Sequence, residues 1–435
     1  MKILFIACYS PLINNSASIE TLQYLNNLAK INDNEVYLLT VNFPKESIYY
    51  DEYILGMLDK KVKLHIISGG KLFERVMPKK INSNFHRNDN RKVSFIRKAF
   101  RTSIIRSILK SIKKMVAIPD MYLYWAYRAS KYGRELMKKE KFDVIFSMHE
   151  PPSSHICAYN IKKENEDVIW VTYWSDPWLK DSTRENSGFI RRNIEGYFEK
   201  NIINLSDKFV FVTEANRDDY VLSYNIPKEK TYLITRGYDD KIYREIEQES
   251  KPKLIKENKI NIVYTGEIFS KLRDIKPFIN SLNYIEKKNI EIYNKLNVLF
   301  FGNIDDYELK EELASIDIAN VSSRIPYKEA LGYMVKSDIL LLFGNKNSKQ
   351  IPAKIYDYFG CASYVLVILG DEKDPIIPVV QNIEKCMVVL NNEKDILRGL
   401  IELVNKVDSG KKSEPIQEYE WENISKKLNN ILRIE

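Results

Sequence analysis

Cysteine is scarce in this chain: four in 435 residues, at positions 8, 157, 361 and 386, with no CxxC pair among them. That excludes a disulfide-dense scaffold and fits buried free thiols in a reducing compartment. No apolar stretch approaches the roughly 20 residues that a membrane-spanning helix needs. The opening MKILFIACYS holds only a short apolar run, which reads as a first buried strand rather than the core of a signal peptide. The expected location is therefore cytoplasmic, with the inner face of a membrane open as a surface to lie on. Histidine is also rare, with four in the chain. The dinucleotide fingerprint GxGxxG is missing from both of the strand-to-helix turns where it would be sought.

What is present suffices for ordinary globular cores: 44% of residues are apolar and 12% aromatic. A chain of 435 residues exceeds what one core usually supports, so two domains of roughly 200 residues each are expected. The net charge of +8 is unevenly placed. Residues 71 to 114 carry 14 Lys or Arg against Glu74 and Asp89, a local +12 that leaves the remainder at −4.

Along the chain, short runs of buried-strand character alternate with helical periodicity. KILFIAC, the helix SIETLQYLNNLAKI and EVYLLTV open the pattern, and KLHIIS, FDVIFSM, VIWVTYW, KFVFVT and TYLITRG continue it. Strand, helix, strand with short connections predicts parallel βαβ units and a doubly wound sheet over residues 1–235. Residues 236–259 are highly charged and read as a linker. The alternation then restarts with INIVYTGEI, LNVLFFGNI, VSSRI, DILLLFG and YVLVI, which predicts a second Rossmann-like domain over 260–410. The segment 411–435 ends in one amphipathic helix packing back on the body. Two such domains are expected to face each other across a cleft, where open parallel sheets bind ligands.

Several clusters fall at predicted strand ends. After the first strand, Asn14, Asn15 and Ser16 can present backbone N–H groups to an anion or simply cap the helix. After the strand INIVYT, Gly266 allows close backbone approach, and Lys271 and Arg273 supply cations suited to a diphosphate, or form a solvated basic loop. FDVIFSMHEPP places His149 and Glu150 at a strand end, where a proton donor or phosphate contact would sit; a structural histidine is the alternative. Asp176, in VTYWSDPW, can accept from an acceptor hydroxyl or cap a turn. In QIPAKIYDYFG, Lys354 and Asp357 lie three apart: the carboxylate can take both hydroxyls of a ribose and the lysine a phosphate, or the two form an exposed ion pair. Ile325, closing VSSRI, is counted with the nucleotide contacts.

In their order and spacing, AIPDMYLYW (117–125), FDVIFSMHEPP (142–152), VTYWSDPW (171–178), YTGEI (264–268), SDILLLF (337–343) and IPAKIYDYFG (351–360) resemble the GT-B glycosyltransferases, more narrowly glycosyltransferase family 4. The resemblance implies an α/β fold of two Rossmann-like domains. The C-terminal one would hold a sugar nucleotide, UDP- or GDP-linked, and the N-terminal one the acceptor. It places Asp357 at the second glutamate of the family's EX7E motif, the ribose contact, and Lys349 where the first glutamate would meet the donor sugar. Glu267 stands where an arginine often follows the glycine of YTG, which leaves Lys271 or Arg273 for phosphate. His149 and Glu150 resemble the HEP segment of phosphatidylinositol mannosyltransferases, with the histidine near the reacting sugar.

The expected activity is a retaining sugar transfer, with no tightly bound cofactor and no metal, onto a cell-surface glycan or lipid-linked acceptor in a bacterium, as in polysaccharide or lipopolysaccharide synthesis. Alternatives are a GT-B sugar-nucleotide epimerase and a non-catalytic binding protein, the latter suggested by Lys349. The basic segment 71–116 carries Ile96, Phe100, Ile104, Ile108, Ile112 and Met115 at helical spacing. It reads as a cationic amphipathic helix for anionic lipid or as a core-facing helix with a solvated basic side. It lacks a reading module and interleaved aromatics, so nucleic acid is not an expected partner.

Overall fold

The computed structural model describes residues 1–78, 118–180, 188–346 and 350–433. Most of the basic segment 71–116 lies outside them, as does Lys349. The chain divides into two compact units, Met1–Leu233 with Leu428–Glu435, and Ile234–Lys427.

The first unit is built on seven strands: β1 (Lys2–Ile6), β2 (Glu35–Asn42), β3 (Lys63–Ser68), β4 (Val144–His149), β5 (Ile169–Trp174), β6 (Lys208–Phe211) and β7 (Thr231–Leu233). Their order is β3-β2-β1-β4-β5-β6-β7, and every pair is parallel. β1 and β4 are buried on both faces because helices cover both sides of a parallel sheet. Trp125, Trp170, Trp174 and Trp178 are all fully buried in this unit.

The second unit holds β8 (Ile260–Thr265), β9 (Leu296–Phe301), β10 (Ala319–Ser322), β11 (Ile339–Phe343), β12 (Tyr364–Leu369) and β13 (Cys386–Leu390). Their order is β10-β9-β8-β11-β12-β13, again all parallel. Two Rossmann-like sheets are thus present, as the alternation of strand and helix predicted. In each, the strand order reverses beside the first strand, at β1/β4 and at β8/β11. Such switch points open a crevice at the carboxyl ends of the strands.

Residues 236–259, expected as a linker, are instead part of the second unit. Helix Asp240–Gln248 is capped by the Asp239 side chain, and it buries Tyr243 and Ile246 in the core beside Leu340, Tyr356 and Phe359. Three-residue apolar spacing within DKIYREIEQ gives the charged segment one buried face. The terminal helix spans Trp421–Leu432. Before it, Ser413 and Ile416 donate backbone bonds to Ala362 and Phe359 of the second unit. Beyond Lys427 the helix belongs to the first unit, where Leu428 and Leu432 are buried and Asn34 Nδ2 donates to Asn429 Oδ1 at 2.8 Å.

One device recurs at the amino ends of the strands. Asp143, Asp207 and Asp338 each precede a strand, and each donates its own N–H to a carbonyl of the neighbouring strand, Lys2, Trp170 and Asn261 respectively. Each carboxylate then accepts the N–H of that same neighbour, at 2.6, 2.8 and 2.8 Å. The three clamps pin β1 to β4, β5 to β6 and β8 to β11. Asp338 Oδ2 also takes Asn261 Nδ2 at 3.1 Å, and Asn261 Oδ1 accepts from Asn297 Nδ2 at 2.9 Å, which extends the clamp toward β9. Asp338→Ala would strand the Asn261 backbone N–H, and removing such a charged acceptor costs about 1–3 kcal/mol. Chemical denaturation should show that loss, with Asp338→Asn retaining part of the stability.

Candidate active site

In the first unit the switch point is framed by the chain after β1 and the chain after β4. His149 ends β4, and both peptide bonds around Glu150 are cis. Pro151 and Pro152 stop the strand, and helix Ser153–Lys162 follows. Asp120 fixes the start of that helix: its Oδ2 accepts from Ser153 N at 2.9 Å and its Oδ1 from Ser153 Oγ at 2.6 Å. A carboxylate at this position satisfies free N–H groups and complements the helix dipole. Ser154 Oγ in turn accepts from Cys8 N at 3.0 Å, which ties the end of β1 to the same helix. Tyr9 lies beside these carboxylates; burial raises its phenol above the ordinary range, and Glu150 and then Asp120 add to the rise.

His149 itself is 1% exposed. Its ring stacks on Trp174 and His155, at centroid distances of 5.6 and 5.8 Å, with Trp178 at 6.2 Å. Its carbonyl accepts from Ser175 Oγ at 2.6 Å, so the structure brings His149 next to the turn that carries the half-buried Asp176. Of the other residues expected on the acceptor side, Asn15 is the N-cap of helix Ser16–Lys30, its side chain accepting from Ser18 N at 2.7 Å. Asn14 is held to the segment around residue 50 through Tyr49 O and Asp51 Oδ2. Ser16 is exposed and Glu150 half-buried.

In the second unit, Arg273 bridges the loops after β8 and β11. Its Nη1 donates to Glu267 O at 2.6 Å and its Nε to Asn345 Oδ1 at 2.9 Å, while Lys346 N donates to Leu272 O at 2.9 Å. Gly266 lies in the turn where β8 ends. Gly302, at the end of β9 with φ of 138°, packs so closely that a Cβ would stand 1.8 Å from Gly266 O. Lys271 is exposed, and no ion pair or hydrogen bond involving it is seen among the described residues. Lys354 and Asp357 pair with each other at 3.1 Å on helix Lys354–Phe359. Thr265 N lies 3.5 Å from the Tyr358 hydroxyl, which sets this helix against the end of β8. Tyr243 OH donates to Asp357 O at 3.2 Å and lies 3.5 Å from its Oδ1. Ile325 packs against the apolar cluster that includes Tyr358 and Phe359.

The arrangement gathers Gly266 and Arg273 at one switch point, sets the Lys354 and Asp357 helix against β8, and brings His149 and Asp176 together in the first unit. Three residues with a part in it were not singled out from the sequence. Asp120 follows the Ile-Pro break ahead of a helix, and Tyr243 sits on the buried spacing of DKIYREIEQ. Asn345 stands in the Gly-Asn that ends the run ILLLF. Among the described residues there is no group of three or more His, Cys, Asp or Glu placed to hold a metal. None of the helices there is long and apolar enough to cross a membrane.

His155, behind His149, gives the site a pH signature. The Ser147 hydroxyl, which accepts from Trp170 Nε1 at 2.9 Å, donates to His155 Nδ1 at 2.7 Å. Burial pushes the ring from 6.5 down to about 3, partly offset by a hydrogen bond to the Tyr173 backbone. The folded protein therefore refuses a proton that the unfolded chain accepts. The stability this supports is complete above pH 6.5 and is lost as pH falls toward 3, by about 1.4 kcal/mol per pH unit. Denaturant titrations across that range should show the slope, and His155→Asn should flatten it. Equal slopes in the two proteins would remove His155 as the cause.

Residues 93–241 match the model of Glycosyltransferase Family 4. Among solved structures, a glycosyltransferase from Rickettsia africae is similar at 13% identity and a TM-score of 0.62, covering 99% of this chain and 97% of that one. A UDP-GlcNAc 2-epimerase from Neisseria meningitidis, bound to UDP-GlcNAc, is similar at 14% identity and a TM-score of 0.56, covering 99% of each. WaaG, a glycosyltransferase involved in lipopolysaccharide biosynthesis, is similar at 11% identity and a TM-score of 0.52, covering 99% and 95%. A curated relative from Clostridium kluyveri, one polypeptide of an ATP-dependent helicase/nuclease, is 28% identical over 199 residues; the match takes in 42% of this chain but spans only 16% of the relative's length. The GxxxxGK[ST] phosphate loop of P-loop NTPases is absent from the sequence. Residues 93–241 thus resemble Glycosyltransferase Family 4, and the two Rossmann-like sheets share the fold of these glycosyltransferase and epimerase structures.

Proposed function

We propose that this protein is a glycosyltransferase that moves a sugar from a nucleotide-diphosphate donor, UDP- or GDP-linked, onto a cell-surface glycan or lipid-linked acceptor of a bacterium, with retention of configuration. The observation that carries the donor half is Arg273, held at the β8/β11 switch point between Glu267 O and Asn345 Oδ1. A guanidinium fixed there is suited to the oxygens of a diphosphate and to the charge that grows on it as the sugar leaves. Lys354 would join it on phosphate and Asp357 would take the ribose, exchanging their mutual 3.1 Å ion pair for the ligand. Gly266 would let the backbone approach, with Lys271 and Ile325 as further contacts. The Neisseria epimerase bound to UDP-GlcNAc shares the fold, which supports a uridine donor.

The acceptor is assigned to the first unit, with Glu150 and Asp176 toward its hydroxyls and Asn14, Asn15 and Ser16 lining the loop. His149 would act from beneath, since its ring is buried among Trp174, Trp178 and His155. A lipid-linked acceptor is supported by the exposed apolar side chains Phe189, Ile190, Ile194 and Tyr197 on helix Phe189–Leu205 of the first unit, interspersed with Arg191 and Arg192. The likeness to WaaG points the same way, toward a surface glycan made at the inner face of the cell membrane.

Likeness to an epimerase supports a second reading, in which the donor alone is converted. Incubating the protein with UDP- and GDP-sugars, with and without a bacterial lipid extract, separates the two. Transfer that requires the extract is expected; an epimerised sugar nucleotide without it would establish the second reading. Asp357→Ala should weaken nucleotide binding by roughly tenfold, the loss of a charge-assisted hydrogen bond. Unchanged UDP and GDP affinity in calorimetry would take the ribose away from Asp357.

A further inference from the structure

The turn after β12 carries a buried carboxylate that the donor site as described does not use. Asp374 is 2% exposed. Its Oδ2 accepts from Gly370 N at 2.8 Å and its Oδ1 from Ile376 N at 3.0 Å, and these bonds shape the turn locally. The same carboxylate packs against Gly344 in the loop after β11, the loop whose Asn345 side chain accepts from Arg273 Nε.

The packing at this crossing leaves no slack. A Cβ on Gly344 would stand 1.9 Å from Asp374 Oδ2, and one on Gly370 would stand 2.4 Å from the Asn345 carbonyl carbon. Both strand ends therefore require glycine for the two turns to pack this closely. Asn345 is itself 4% exposed, and its Nδ2 donates to Gln350 O at 3.3 Å, so its side chain is held from two sides. Close packing joins the Asp374 turn to the Gly344–Asn345 backbone, and hydrogen bonds continue from Asn345 to Arg273 and on to Glu267 O. Buried groups packed and bonded in such a chain fix one another's positions.

We infer that Asp374 is a positioning residue for the donor site: by holding the Asn345 loop it sets where Asn345 Oδ1 presents itself, and thereby aims the Arg273 guanidinium at the diphosphate. The inference rests on the nucleotide reading above and extends it to a residue that touches no ligand. The carboxylate also closes the turn before helix Ile377–Val380, so a purely structural role is the reading to be distinguished.

A double-mutant cycle makes the distinction, because groups acting through one path are not additive, whereas independent sites are. UDP and GDP affinities are measured by calorimetry for Asp374→Asn, Asn345→Ala, Arg273→Ala and each double variant with Arg273→Ala, with melting temperatures alongside. Asp374→Asn puts an amide donor against backbone N–H groups, and Asn345→Ala cuts the path while leaving the Gly370 and Ile376 bonds in place. The expected result is a roughly tenfold loss for each single variant and little further loss in the doubles. Wild-type affinity in Asp374→Asn or Asn345→Ala, or losses that add to that of Arg273→Ala, would overturn the inference. If Asp374→Asn does not fold, Asn345→Ala decides by the same criteria. Wild-type affinity in Arg273→Ala would instead overturn the nucleotide reading, and the inference with it.

Discussion

The position of every loop at the candidate site depends on parallel strands being held in register from their amino ends. Asp143 and Asp338 do this at the two switch-point pairs by completing a two-bond ring with the neighbouring strand, and Asp207 does it once more within the first sheet. A one-residue slip in a parallel sheet would turn each strand's faces over and carry its terminal residues to the wrong side. His149 ends β4, Glu150 follows it, and Asn345 follows β11. Their placement is therefore inherited from aspartates at the far end of the same strands.

The proposed donor site is built on that register in two layers. Outermost are groups able to meet a ligand: Arg273 with its guanidinium between two loops, and the Lys354 and Asp357 pair on its short helix. Beneath them are neutral or buried partners, with Asn345 under Arg273 and the Tyr243 hydroxyl against Asp357. Burial raises the Tyr243 phenol, and the Asp357 carboxylate raises it further, so it stays a neutral donor beside the helix. In the first unit the corresponding support is aromatic. The His149 ring packs on Trp174 and Trp178, and the neighbouring His155 ring on Trp170 and Trp174.

Much of the architecture was legible in the sequence because doubly covered parallel strands announce themselves as unbroken apolar runs, as KILFI, VIFSM and ILLLF do. The place of Gly266 and Arg273 after β8 was legible too, since a glycine right after an apolar run marks the turn where a strand ends. Tyr243 escaped because its buried face is two apolar residues in a segment otherwise crowded with charge, and the charge dominated the reading. Asn345 and Asp374 escaped for a different reason. Each is a single polar residue in a turn, and only the fold brings positions 29 apart into contact. The side chain of His149 could not be assigned to a crevice or a core from sequence, because β4 is buried on both faces.

The glycines at the strand ends of the second sheet carry a mechanical consequence. Gly302 rests on the carbonyl of Gly266, Gly370 on the backbone of Asn345, and Gly344 on the carboxylate of Asp374. Backbones in direct contact have no compressible side chain between them. A shift of the turn after β8 is therefore felt by the turn after β9, and a shift after β12 by the turn after β11, much as neighbouring keystones share a load. A ligand that displaces one of these turns must move its neighbour as well, so the rim of this sheet responds in blocks and not loop by loop.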